Sequence, residues 1–492
     1  MFEIKSSRFF EEKCRIGDKW CDADDSSVIE ITNPATQQVI GTVPKVGARE
    51  TARAIEVASV QGKEWASRTA KERHGLLKKW FSLIIDNQDE LGQILVTEQG
   101  KPLAEAVKEV AYGASFIEWF AEEGRRAYGD IIPSGIPNTE IRVTKEPVGV
   151  VGIIIPWNFP SAMISRKVGA ALAAGCSCVI KPAELTPYSA IALIKLAEEA
   201  GIPPGILNLV TGDPQVIGKE LTTNPIVKKL SFTGSTAVGK LIMQQCSSTV
   251  KKVSLELGGN APFIVFEDAD LDAAVDGLMV SKFRNSGQTC VCANRIFVQA
   301  AIYDKFLAKL KQAVAKLIPG DGMADGSTQG PLINEQAVVK VEKHIQDMLD
   351  RGGKLVCGGK RHELGGTFFE PTIISEVQIG SLPCHEETFG PVAPLYKFAT
   401  EEEAVTMANN TQYGLSAYFY SSDLERVQRV SSSLEDGIIG VNCGIISNEV
   451  SPFGGVKESG IGREGSKYGL DEYLNIKYTL FQYKAQNIKR RI

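Results

Sequence analysis

Between Val148 and Phe266, short apolar runs alternate with stretches of helical period, and this alternation constrains the fold more than any other feature of the chain. The runs are VGVVGIII, CSCVIKP, ILNLVTG and KKLSFTG; SRKVGAALAAG, YSAIALIKLAEEAG and PQVIGKELT lie between them. Strands this continuously apolar are buried on both faces, so the pattern predicts an α/β fold with a parallel sheet covered by helices on each side. A second alternating region follows Gly258, with NAPFIVF, a helix over about Leu271 to Phe283, NRIFVQ and YDKFLAKLKQAVAKL, and runs to about Val441. Ala48 to Arg126 carries apolar residues at three- and four-residue spacing, which predicts helices. At 492 residues the chain exceeds what one core serves, so two or three domains are expected.

Some local signals are sharper. In YSAIALIKLAEEAG, Thr186 is placed to cap the helix, Pro187 suits its first turn, and Gly201 suits its end. EIRVTKEPV and LNIKYTLFQY fit neither layer. Both alternate and are polar on one face, which is the signature of antiparallel or edge strands that pair with another element or another chain.

Composition removes several function classes. The chain is 43% hydrophobic and 23% charged, as globular proteins are. Its net charge of −5 gives no basic footprint for nucleic acid. The N-terminal MFEIKSSRFFEEKCRIGDKW lacks the apolar core of a signal peptide, and Glu3, Glu11 and Glu12 do not suit a transit peptide. The longest apolar run, GVVGIII, falls far short of the ~20 residues that span a bilayer. A cytoplasmic protein with no membrane partner is expected, the mitochondrial matrix staying open, with KAQNIKRRI as a solvated basic end. Ten cysteines without framework spacing read as free thiols. The four histidines do not stand at ligand spacing from Cys176/Cys178 or Cys290/Cys292, so no metal is expected.

Open parallel sheets bind ligands beyond the carboxyl ends of their strands. Unusual compositions fall there: PWNFP (156–160), KPAE (181–184), TGSTAVG (233–239) and LGGN (257–260). TGSTAVG opens a helix whose free N–H groups suit a pyrophosphate, although Ser235 or Thr236 also suits a plain N-cap. Lys181 and Glu184 suit ribose hydroxyls, or a surface ion pair. In FRNSGQTCVCANR, Cys290 lies in a loop rich in Gly, Asn and Gln after a helix, where a thiol is better placed for nucleophilic chemistry than Cys176 or Cys178 in their apolar strand. Glu256, a single carboxylate closing an apolar strand, is the better candidate base than any histidine.

Taken together, PWNFP, KPAE, FTGSTAVG, LELGG, FRNSGQTC, EETFGP and PFGGVKESGIGRE resemble, in order and spacing, the aldehyde dehydrogenase superfamily. The resemblance implies a Rossmann-type cofactor domain (1–126, 147–257 and about 449–467), an α/β catalytic domain (258–448) and a small β oligomerisation arm (127–146 and 468–492). It implies Cys290 as nucleophile, Asn158 with the Cys290 N–H as oxyanion holder, and Glu256 as the base for water. It implies NAD contacts from Pro156, Trp157, Lys181, Glu184, Gly212, Phe232, Gly234, Ser235, Gly239, Leu257, Glu387 and Phe389. SFIEWFAEEGRRAYGD, NCGIISNEVSPFGG and GREGSKYGLDEYL further resemble the succinate-semialdehyde dehydrogenases, which implies that Arg166, Arg284 and Ser447 hold the far carboxylate of an anionic semialdehyde. Glutarate semialdehyde or a broader aldehyde range is the near alternative, and a catalytically silent binding member the alternative of another class. NADP-preferring bacterial relatives have a small residue where this chain has Glu184, so NAD is expected to be preferred, with NADP use left open. Cys292 reads either as a small loop residue or as the redox partner of Cys290. A homo-oligomer, dimer or tetramer, is implied.

Overall fold

The computed structural model describes residues 2–484. The basic tail expected as a solvated end lies, from residue 485, outside the described residues.

The first alternating region forms the centre of an 8-stranded sheet. Lys252–Glu256, Val227–Thr233, Val150–Ile154, Ser177–Lys181 and Leu207–Leu209 run parallel in that spatial order. Antiparallel strands close both sides, Gly460–Ile461 on one and the hairpin Cys14–Ile16/Lys19–Cys21 on the other. The central strands Val150–Ile154 and Ser177–Lys181 are buried almost throughout, because helices cover both faces of the sheet. The helix Pro160–Ala174 is buried along its whole length, between the sheet and the helix Leu103–Glu123. Their approach depends on Gly113, where a Cβ would stand 3.1 Å from the Ala162 Cα and the Ser161 carbonyl.

The second region forms a 7-stranded sheet, ordered Lys354–Cys357, Thr372–Ser375, Val392–Phe398, Ala293–Gln299, Ala261–Val265, Ser416–Tyr420 and Ile438–Val441. All neighbours are parallel except the first pair. The two unassigned segments find each other: Leu474–Gln482 pairs antiparallel with Thr139–Pro147 over its full length, and Asp130–Ile132 completes a 3-stranded sheet. Ile132, Ile476, Tyr478 and Leu480 remain exposed on it.

One expectation fails locally. The helix Tyr188–Ala200 does end at Gly201, with φ +92°, but Thr186 does not cap it and Pro187 sits at the cap rather than in the first turn. The Thr186 hydroxyl is buried without a partner. Glu98, from the helix Gln88–Gln99, instead accepts the Tyr188 and Ser189 N–H groups at 2.7 and 2.8 Å. A remote carboxylate thus does what a local hydroxyl does at most helix starts.

Candidate active site

The parallel strands deliver their last residues to one level. Ile154 is opposite Lys181 and Phe232, and Thr233 is opposite Glu256. Past these ends lie two cavities, of about 520 and 480 Å³, whose walls share Met163 and Cys290. Cys290, the residue expected to do the chemistry, therefore lines both.

Backbone conformation brings Cys290 there. The helix Leu271–Phe283 is followed by Asn285, Ser286 and Gly287 at φ +51°, +56° and +75°. Gly287 takes this conformation freely, but at Asn285 and Ser286 it is costly unless the surroundings over-determine it. Here the Asn285 N–H donates to Glu105 at 2.8 Å, its side chain accepts from Gln99 and donates to the Asn158 carbonyl, and Gly287 packs where a Cβ would stand 2.2 Å from the Gly390 carbonyl. The Asn158 amide donates to the Gln288 carbonyl at 3.0 Å. That contact uses one of its two N–H donors and ties Asn158 to the cysteine loop.

The electrostatics follow from burial. Burial pushes the Cys290 thiol up to about 12; Arg166 opposes this, and Glu387 and Glu256 add to it. Glu256 is buried, one carboxylate oxygen has no hydrogen-bond partner, and desolvation and then Glu464 hold its carboxyl well above the ordinary range. Glu464 is ion-paired with both Arg166 and Lys167 at positions almost closed to solvent. Burial pulls the Lys167 amine down, with Glu464 working against it. Burial also raises Glu387, to about 7. Among the described residues no cluster of His, Cys, Asp and Glu is arranged to hold a metal.

Pro156, Trp157, Asn158, Gly234, Ser235, Leu257, Glu387 and Phe389 line the smaller cavity. Ser235 caps the helix Thr236–Cys246 there. The other expected cofactor residues lie around it. Lys181 is buried and pairs with Glu184 at 2.8 Å; the Phe232 ring packs in the core beneath Gly234; Gly239 closes on Leu257, where a Cβ would stand 2.4 Å from that side chain; Gly212 bridges to Val46. The cavity suits a dinucleotide: the Thr233 hydroxyl on its wall is buried without a partner, and Gly258 leaves room beside Glu387.

The larger cavity holds Arg166, Arg284 and Ser447. Arg284 lies over the Phe159 ring at 5.3 Å, with its buried Nε unpaired, and Arg166 lies over Phe453 at 4.4 Å, with its Nη2 unpaired. Cys292 lines neither cavity; its sulfur accepts from Lys282 at 3.3 Å, and both it and Cys290 are free. Cys176 and Cys178 are fully buried packing residues.

Sequence reasoning missed several participants. Tyr112 lies against Ser447 and Arg166 in the larger cavity, and Lys340 and Gln336, on the helix Glu335–Asp350, line the smaller one. The Lys101–Glu109 pair, buried behind Asn158, was also invisible. Gln336 and Lys340 read as the solvated face of an amphipathic helix, and Tyr112, Lys101 and Glu109 stand in no motif, so no signal in the chain marks these.

The chain belongs to the aldehyde dehydrogenase family, whose sequence pattern matches residues 20–479. Among its relatives, glutarate-semialdehyde dehydrogenase of Pseudomonas aeruginosa is 57% identical over 97% of this chain and 99% of that one. Succinate-semialdehyde dehydrogenase [NADP(+)] of Escherichia coli is 56% identical with the same coverage. The crystal structure of succinate-semialdehyde dehydrogenase from Burkholderia pseudomallei superposes with a TM-score of 0.97 at 59% identity, covering 97% of this chain and 99% of that chain.

Proposed function

We propose that the protein oxidises succinate semialdehyde to succinate with NAD(P), as a step in 4-aminobutyrate breakdown. The observation that carries this reading is the position of Cys290 between a cavity with two incompletely paired arginines and a cavity fit for a dinucleotide. The Cys290 sulfur attacks the aldehyde carbon to give a thiohemiacetal. Asn158 and the Cys290 N–H hold the oxyanion, a contribution whose loss typically costs ~10²–10³ in rate. A dinucleotide, when bound, would supply the hydride acceptor for thioester formation. Glu387 and Phe389 would hold its nicotinamide end, and Gly234 and Ser235 its pyrophosphate. Glu256 takes a proton from water, which cleaves the thioester. Arg166, Arg284 and Ser447 fix the distant carboxylate; a guanidinium pairs with carboxylate through two parallel hydrogen bonds.

Glutarate semialdehyde is the second reading, favoured by the Pseudomonas relative. One methylene discriminates by only ~1–3 kcal/mol. NAD is the preferred cofactor in this reading, because Glu184 would face a 2′-phosphate. Like charges ~4 Å apart repel by about 4 kcal/mol at an effective dielectric near 20, and the ion pair to Lys181 lessens this. The Escherichia coli relative, whose name specifies NADP(+), makes the comparison of cofactors necessary.

The exposed apolar face of the 3-stranded sheet is the arm through which copies associate. Among the described residues no helix is long and apolar enough to cross a membrane; the reading keeps the enzyme in the cytoplasm, or in the mitochondrial matrix. Cys292 is the redox partner of Cys290 in this reading; peroxide inactivation that persists unchanged in Cys292→Ala would reject the role. The main test is an NADH- and NADPH-linked rate panel over succinate and glutarate semialdehydes and uncharged aldehydes, repeated with Arg284→Ala. Succinate semialdehyde with NAD is expected to lead, and the variant to lose that lead. A preference for uncharged aldehydes removes the arginine clamp, and a clear NADP advantage removes the role given to Glu184.

A further inference from the structure

We propose that Cys14 and Cys21 form a second, reversible dithiol–disulfide site, distinct from Cys290 and Cys292, on the outer hairpin of the cofactor-side sheet. Cys14 and Cys21 stand directly opposite in the antiparallel register of Cys14–Ile16 with Lys19–Cys21. Directly opposed residues have side chains on one face and Cα atoms roughly 4.5–5.5 Å apart. A disulfide spans ~4.4–6.8 Å. Both side chains pack into the same apolar cluster, with Val46, Ile55 and Val210, so they share a face in fact as well as in register. Both thiols are free.

The hairpin is held still, so the pair cannot drift apart. The Gly17 N–H in its turn donates to Asn208 at 2.9 Å, and Arg15 pairs with Glu198 and lies over Trp20. The two sulfurs differ in access. Cys14 is fully buried, while Cys21 sits on the edge strand and is partly exposed. Burial pushes the Cys21 thiol up and Arg53 pulls it back, so the reaction with oxidant is slow but has an entry point.

The chemistry is complete with hydrogen peroxide as oxidant. The Cys21 sulfur attacks a peroxide oxygen, the O–O bond breaks, and a sulfenic acid and one water result. The Cys14 sulfur then attacks the sulfenic sulfur, the S–O bond breaks, the S–S bond forms, and a second water leaves with the Cys14 proton. Two thiols are oxidised by two electrons and one peroxide is reduced. The event reaches beyond the hairpin: the Cys14 sulfur accepts from the Thr211 N–H at 3.3 Å and contacts its hydroxyl at 3.2 Å, immediately before Gly212.

The test uses the full-length enzyme exposed to peroxide, alkylated with iodoacetamide in denaturant, and cleaved after glutamate. The fragment bounded by Glu12 and Glu30 carries Cys14 and Cys21 and no other cysteine. It is expected to become lighter by two hydrogens, to resist alkylation, and to recover two alkylation sites after dithiothreitol. In Cys14→Ser the resolving thiol is gone, and Cys21 is expected to advance to sulfinic acid or to capture added glutathione. Full alkylation of both residues after an exposure that consumes Cys290 overturns the proposal. Equal sulfinic acid at Cys21 in the wild type and in Cys14→Ser also overturns it. Serine keeps the polar contact to Thr211, and a melting curve confirms that the variant folds.

Discussion

At the scale of single residues, the proposed mechanism turns on the proton affinity of Glu256. Its carboxyl is buried, half-unpaired and beside Glu464, so it holds its proton to a higher pH than a solvated glutamate. A base acts only when ionised. Steady-state turnover should therefore climb as pH rises through this raised value and fall below it, whereas an unperturbed carboxylate would already be ionised in mildly acidic buffer. Glu256→Gln should keep a burst of NADH equal to the number of sites and then lose ~10²–10⁴ in turnover. Loss of the burst along with turnover would place Glu256 before thioester formation. Cys290 and Glu256 stood out in the sequence as candidates because each is an odd chemical type at a strand or helix end; the structure puts Cys290 in the wall of both cavities and leaves Glu256 buried behind them. Arg166 was legible only as a cation; that it shares Glu464 with Lys167 depends on residues almost three hundred positions apart meeting in space.

At the scale of elements, boundaries were readable where their causes are local. The helix Leu271–Phe283 begins where the Asp270 side chain accepts the Asp272 and Ala273 N–H groups, so the expected limits hold. The start of Tyr188–Ala200 was misread because its cap comes from another helix. The consequence is measurable. Thr186→Val should leave thermal stability nearly unchanged, since its hydroxyl has no partner to lose. Glu98→Ala should cost ~1–3 kcal/mol by denaturant titration, the penalty of leaving buried N–H groups unsatisfied. The reverse ranking would restore Thr186 as the cap.

At the scale of the whole molecule, the parallel sheets were legible from alternation, but strand order was not, because hydrogen-bonding partners leave no trace in composition. The nine-residue pairing of Leu474–Gln482 with Thr139–Pro147 illustrates this: each strand announced an unfilled edge, and neither named the other. Their sheet still shows Ile476 and Tyr478 to solvent, at 74% and 59% exposure. Isolated monomers rarely leave such a face uncovered. Replacing both by lysine should lower the mass measured by light scattering while far-UV circular dichroism stays unchanged. An unchanged mass would show that assembly uses another surface.

Because Met163 and Cys290 stand in the walls of both hollows, the proposed reaction would draw on two rooms through one shared partition. A change that narrows the room for the aldehyde need not then obstruct the room for the dinucleotide.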